Sequence, residues 1–190
     1  MNPFIKRIRA GSLLLTLLFS ASFQTWAAAE PIDSGDLTGG LTIARYLQVT
    51  DGIFRGGRPT SADLAAIATQ NKIATVIDLE DDTKIVDQEK ADATKLHMKF
   101  LLTAMNPYAV PSDGEVNGVL SELQDSKNFP IFIHCHYGED RTGLIIGIYR
   151  VEVQRWTPAQ AYQEMLANGF HQSLTDLDNY FRKRTGYSGK

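Results

Sequence analysis

The run from Pro130 to Arg150 leaves the chain little choice of local structure. Pro130-Ile131-Phe132-Ile133 is apolar and β-branched and reads as a buried strand. Leu144-Ile145-Ile146-Gly147-Ile148-Tyr149-Arg150 reads as a helix. Between them lies His134-Cys135-His136-Tyr137-Gly138-Glu139-Asp140-Arg141-Thr142-Gly143. A cysteine therefore sits at a strand end, followed by a short loop, an arginine and a helix N-terminus. Such a turn points backbone N–H groups at one spot, with the positive end of the helix dipole behind them, and so binds anions. The same field favours a thiolate at Cys135. Arg141 adds a planar fork able to grip two oxygens of a phosphoryl group. Gly138 lets the loop curl, and Gly143 is expected to let the helix lie close on the strand.

Cys-x5-Arg alone is a weak signal. Here it carries His134 before the cysteine, Gly138 within the loop, and Thr142 and Gly143 after the arginine. A structural cysteine needs no Arg or Gly at fixed offsets. The stretch resembles the signature of the cysteine-dependent phosphatases, His-Cys-x2-Gly-x2-Arg-Ser/Thr-Gly, at every fixed position. That superfamily includes protein tyrosine, dual-specificity and inositol-phosphate phosphatases. The resemblance extends over roughly residues 41–185, with its specificity concentrated in the loop.

Residues 1–29 read as a secretory signal peptide. Lys6, Arg7 and Arg9 precede the short apolar run Leu13 to Phe19, and Ala27-Ala28-Ala29 offers a cleavage site before Glu30. The apolar run is too short for a membrane span. Residues 30–41 form a Gly-rich lead-in, and 42–190 a single domain. Three of the 19 basic residues fall in the signal, leaving 16 against 22 acidic. Such a chain is a poor nucleic-acid binder and must hold an anion through local donors. Cys135 is the one cysteine, so no internal disulfide forms, and a lone thiol in an exported protein points to chemistry. The four histidines show no metal-ligand spacing.

The chain alternates strands and helices. Strands are expected at 41–49, 52–57, 73–79, 97–102 and 130–134. Helices are expected at about 61–70, 82–96, 112–126, 142–155, 158–168 and 174–183. The 82–96 helix is charged and reads as a solvated surface element. Thr60 or Ser61, Ser112 (with Glu115) and Thr157 (before Pro158) are the helix caps. The order implies an α/β fold: a mostly parallel central sheet with helices on both faces, the cysteine-phosphatase fold.

The resemblance assigns roles. Cys135 is the nucleophile that forms a phosphocysteine. Arg141 and the loop amides hold the equatorial oxygens. His134 organises the loop, and Thr142 donates to the departing thiolate. The acid belongs on an upstream loop, where Asp113 follows Asn106-Pro107-Tyr108-Ala109-Val110-Pro111-Ser112; Asp140 is the other candidate. The loop residues His136, Tyr137, Gly138, Glu139 and Asp140 are expected around the substrate. Arg55 and Arg58, in Arg55-Gly56-Gly57-Arg58-Pro59, are expected to wall the phosphate pocket, with Lys84 nearby. After Asp78-Leu79 relatives place an arginine, whereas this chain has Glu80, Asp81 and Asp82, removing a cation.

No cofactor or metal is required. The expected partner is a small anionic phosphate ester, with no nucleic acid, no membrane after signal removal, and a monomeric protein. Export tips the expected substrate toward inositol hexakisphosphate, because phosphotyrosine proteins are few outside the cell. Dual-specificity protein phosphatase is the alternative, and a non-catalytic phosphate-binding module a second. Arsenate reductase chemistry normally needs further cysteines, which are absent.

Overall fold

The computed structural model describes residues 40–189. The expected signal segment, and the lead-in up to residue 39, lie outside the described residues. Strands β1 (Leu47–Thr50), β2 (Ile53–Gly56), β3 (Thr75–Asp78), β4 (Lys99–Leu102) and β5 (Ile131–His134) form one sheet in the order β1-β2-β5-β3-β4. β1 runs antiparallel to β2, and the other pairings are parallel. Helices α1 (Ser61–Gln70), α2 (Thr83–Lys95), α3 (Asp113–Glu122), α4 (Asp140–Glu152), α5 (Pro158–Ala167) and α6 (Thr175–Thr185) complete the fold. β5 lies at the sheet's centre, so the loop that begins at Cys135 leaves from the C-terminal end of a strand that is paired on both sides.

Period-2 alternation divides the core. Phe54, Val76 and Phe132 pack with Leu64 and Ile67 of α1 and Ala93 of α2 on one face. Ile53, Ile77, Ile131 and Ile133 pack with α3 to α6 on the other. Every residue from Arg141 to Arg150 is buried, so α4 is the central helix of that second layer. Its buried Arg150 is compensated by Glu164 (2.6 and 2.9 Å) and by the Val49 carbonyl (2.9 Å). Close packing is enforced at Gly147, where a Cβ would come within 2.5 Å of Met165 Sδ. Gly143, expected to serve that purpose, has 3.6 Å of room to Phe170.

Three expectations change. The strand expected from residue 41 begins only at Leu47, because Asp63 captures the Thr42 amide and hydroxyl (2.7 Å each) and Arg45 adopts φ 54°. The last helix, expected over 174–183, runs Thr175–Thr185 and starts without a side-chain cap bond. Finally, α2 is not simply a solvated face. Val86 and Ala93 bury toward the sheet, and with them Glu89 and Asp92. Charge periodicity does not reveal that a carboxylate has a buried partner elsewhere. The caps at Thr60, Ser112 and Thr157 form as the sequence implies, each as a full capping box.

Candidate active site

The loop from Cys135 to Glu139 joins the C-terminal end of β5 to the start of α4 and packs against the end of β2 at Gly56 and Gly57. Cys135, 3 % exposed, sits at the floor of a cleft of about 190 Å³ lined also by Pro107, Tyr108, His136, Tyr137, Asp140, Arg141 and Leu174. Among the described residues, the amides of 136–142 have no protein acceptor; the first amide after them, Gly143 N–H, donates to the Glu139 carbonyl at 2.9 Å. These amides and the start of α4 form the anion cradle expected from sequence.

Among the described residues, the Arg141 guanidinium makes its hydrogen bonds through Nη1: to Asp81 Oδ1 (2.8 Å), the Met105 carbonyl (3.1 Å) and the Leu79 carbonyl (3.3 Å). Nε and Nη2 are thus left for a ligand. Asp81, one of the three acids that stand where relatives carry an arginine, is therefore an anchor for Arg141. Thr142 is fully buried, and its hydroxyl has no hydrogen-bond partner among the described residues.

The Arg55–Arg58 segment supports the loop from behind rather than walling the cleft. Arg55, 2 % exposed, donates from Nη2 to the Gly138 carbonyl at 2.5 Å. Desolvation pulls its guanidinium down to about 10, so it stays charged at pH 7, where its field couples to Glu164 and Cys135. Arg58 donates its amide to the His136 carbonyl (3.0 Å), and its guanidinium pairs with the buried Glu80 through Nε (2.7 Å) and Nη2. Its pKa is raised, chiefly by that hydrogen bond. Lys84 is exposed at the start of α2 and does not line the cleft. The expected contacts of Arg55, Arg58 and Lys84 with outer phosphates are therefore not formed here, because two of these cations are spent on internal acceptors and the third lies elsewhere.

The acids of the loop turn aside. Glu139 pairs with Arg45, which also donates to the Tyr137 carbonyl (3.3 Å). Asp140 Oδ1 accepts from the His171 amide (2.7 Å), and the His171 ring lies 3.2 Å away. Arg45 and His171 carried no sequence signal, since each meets the loop from a distant segment. Asp140 still lines the cleft. Asp113 does not: it accepts from Tyr180 OH (2.7 Å), near Arg184, in a separate groove of about 780 Å³. Of the proline-bearing loop, Pro107 and Tyr108 are the residues brought to the cleft.

Gly138 is where the loop has least freedom. Its φ is +71°, and a Cβ there would lie 2.5 Å from the Gly56 carbonyl carbon and 2.6 Å from the Gly57 nitrogen. Both obstacles are backbone. Gly138→Ala is expected to cost about 3 kcal/mol and about 10 °C in Tm, from left-handed strain plus the clash. A melting temperature within about 2 °C of the parent would show that the loop and β2 can separate.

A cysteine followed by an anion-binding loop and an arginine fork, at the end of the central strand of a mostly parallel sheet, defines a cysteine-dependent phosphatase. Comparison with known proteins agrees. The sequence pattern of the tyrosine phosphatase family matches residues 41–181, and the chain belongs to that family. It is 38% identical over 133 residues to the dual specificity protein phosphatase TpbA of Pseudomonas aeruginosa (strain UCBPP-PA14), covering 68% of this chain and 58% of that protein. It is 28% identical over 162 residues to the inositol diphosphatase DSP2 of Oryza sativa subsp. japonica, covering 82% and 72%. The crystal structure of P. aeruginosa TpbA superposes with a TM-score of 0.61 at 25% identity over 76% of this chain and 85% of that one. The catalytic core of the PP-IP phosphatase SIW14 of S. cerevisiae shares the fold, with a TM-score of 0.64 at 18% identity over 74% and 88%.

Proposed function

We propose that the chain is an exported, monomeric phosphomonoesterase that works through a phosphocysteine and prefers a phosphoryl group carried on an aromatic ring, as in phosphotyrosine. The observation that carries the preference is the rim of the cleft. Tyr108 is 78 % and Tyr137 58 % exposed, and the Tyr137 ring stacks on His136 at 4.1 Å. Exposed rings at a site mouth suit an apolar or aromatic leaving group. Arg141 is the one Lys or Arg among the lining residues, enough for a single phosphoryl group. The periplasm, or the medium, is the compartment that the basic and apolar N-terminal pattern supports.

The reaction runs in two displacements. The Cys135 thiolate attacks phosphorus as the ester oxygen departs, and that oxygen takes a proton from Asp140, the carboxylate in the cleft. Asp113 would serve only after the 106–112 loop moves. Arg141 and the loop amides bind the equatorial oxygens throughout. Water, losing its proton to Asp140, then attacks phosphorus; the S–P bond breaks, and the Thr142 hydroxyl stabilises the departing thiolate.

Inositol hexakisphosphate is the second reading. It is favoured by relatives named inositol diphosphatases and by the nearness of Arg58, which would have to leave Glu80 to meet an outer phosphate. The discriminating experiment measures phosphate release in EDTA from a phosphotyrosine peptide and from inositol hexakisphosphate. The expected result is release from the peptide at an efficiency at least about tenfold higher, the scale of one lost aromatic contact. Release from the inositol ester alone would overturn the aromatic reading.

A further inference from the structure

Asp140 is held from outside its own loop, and by a single residue. It is the first residue of α4, and its side chain is 15 % exposed. Oδ1 accepts from the His171 amide at 2.7 Å. Nδ1 of the His171 ring lies 3.2 Å from Oδ1 and 3.2 Å from Oδ2. Among the described residues, neither oxygen has any other hydrogen-bond partner.

His171 comes from the turn between α5 and α6, which is fixed on both sides of it. Gly169 has φ +87°, and a Cβ there would lie 3.0 Å from Glu139 Cγ and 3.1 Å from Arg45 Nε, so the chain passes close against that ion pair. Phe170 is 5 % exposed and belongs to the core. The His171 carbonyl then accepts from the Leu174 amide at 3.0 Å. Backbone packing therefore delivers the amide, while the ring itself is 56 % exposed and fills no core space. The charged groups around the ring are Asp140, Glu139 with Oε2 at 3.8 Å, and Arg45 on the other oxygen of Glu139.

We propose that His171 is a positioning residue for proton transfer: its ring sets the Asp140 carboxyl in the cleft so that Oδ2 meets the departing ester oxygen. The proposal rests on Asp140 being the acid.

The two contacts do different things. The amide pins Oδ1 but leaves the carboxyl plane free to turn about it, because torsions to planar groups are broad. The ring touches both oxygens and stops that turn. Oδ1 is committed to the amide, so Oδ2 is the oxygen left to exchange a proton. A carboxylate only accepts, so Nδ1 carries the hydrogen when it faces one. Proton transfer needs its heavy atoms within about 3.2 Å, a tolerance that a swinging carboxyl does not keep. As the S–P bond forms and the ester P–O bond breaks, the proton passes from Oδ2 to the leaving oxygen.

Leaving groups test this. Phenolate leaves poorly without a proton, whereas 2,4-dinitrophenolate needs none. The readout is kcat/KM for phenol release, which stops at formation of the phosphocysteine and excludes its hydrolysis. Asp140→Asn is expected to lose about 10²-fold more on phenyl phosphate than on 2,4-dinitrophenyl phosphate. His171→Ala, which keeps the backbone amide, should lose about tenfold more on phenyl phosphate. His171→Asn, whose side-chain N–H can stand near the place of Nδ1, should recover most of that difference. Equal losses of His171→Ala on the two esters, or none, overturn the proposal and make the ring a fastener of the turn or a bystander. Loss of tungstate binding in that variant overturns it too, since the ring would then be organising the loop. An Asp140→Asn protein with equal losses on both esters removes Asp140 as the acid, a separate failure that takes the role of His171 with it.

Discussion

Cys135→Ser is expected to abolish phosphate release, by at least about 10⁴-fold in kcat, while leaving the fold and anion binding in place. The serine hydroxyl is smaller and hardly ionised near neutrality, so the cradle loses its nucleophile and little else. Cys135 is buried at the floor of the cleft, and its thiol makes no hydrogen bond among the described residues that its replacement would break. The amides of 136–142 and Nε and Nη2 of Arg141 still await an anion. Calorimetric titration with tungstate, a tetrahedral oxyanion like phosphate, should therefore give a Kd within about threefold of the parent, since the donor set is unchanged. Substantial turnover by the serine protein would remove the phosphocysteine from the mechanism. Full loss of tungstate binding would mean that the thiolate, not the amides, organises the loop.

Arg141→Lys is expected to have a different signature: loss of turnover by about 10³-fold together with loss of tungstate affinity. A lysine keeps the charge. It cannot place one nitrogen on Asp81, Met105 and Leu79 while two others face the phosphoryl oxygens. Arg141 is 7 % exposed, so an ammonium there would also lose hydration that its fewer hydrogen bonds do not replace. The pair of variants separates the two functions of the loop. The cysteine substitution should move kcat with little change in anion binding, whereas the arginine substitution should move both. A lysine variant that retains tungstate affinity within about threefold would assign anion binding to the backbone amides alone.

Some of the site was legible because its determinants are local. Cys135, Arg141, Thr142 and Gly138 lie within one strand–loop–helix turn, where chain geometry carries each to its place once β5 and α4 form. The caps at Thr60, Ser112 and Thr157 are equally local, since each side chain reaches an amide three residues on. Asp113 shows the opposite case. Its spacing to the loop suits an acid, yet the direction of its side chain depends on Tyr180, which arrives from α6 at the far end of the chain.

The signs in the sequence around Arg55, Arg58, Glu80 and Asp81 are plain; their pairing is not. A cation near a phosphate-binding motif reads as a ligand contact until the acceptor that occupies it is known. Arg55 meets the Gly138 carbonyl across 83 residues, Arg58 meets Glu80 across 22, and Arg141 meets Asp81 across 60. Glu89 is the strongest instance. It sits in a charged helix whose pattern is that of a solvated surface, and it becomes buried 45 residues from its partner because α2 lays that face on the sheet beneath His134.

The sequence by itself determined the nucleophile, the anion cradle, the alternation of strands and helices, and so the class of chemistry, because short-range geometry and hydrophobic periodicity act within a few residues. The tertiary structure decided which charges face the ligand and which brace the loop. A buried charge must find its counter-charge or carbonyl wherever the fold brings one, and that search runs through space rather than along the chain.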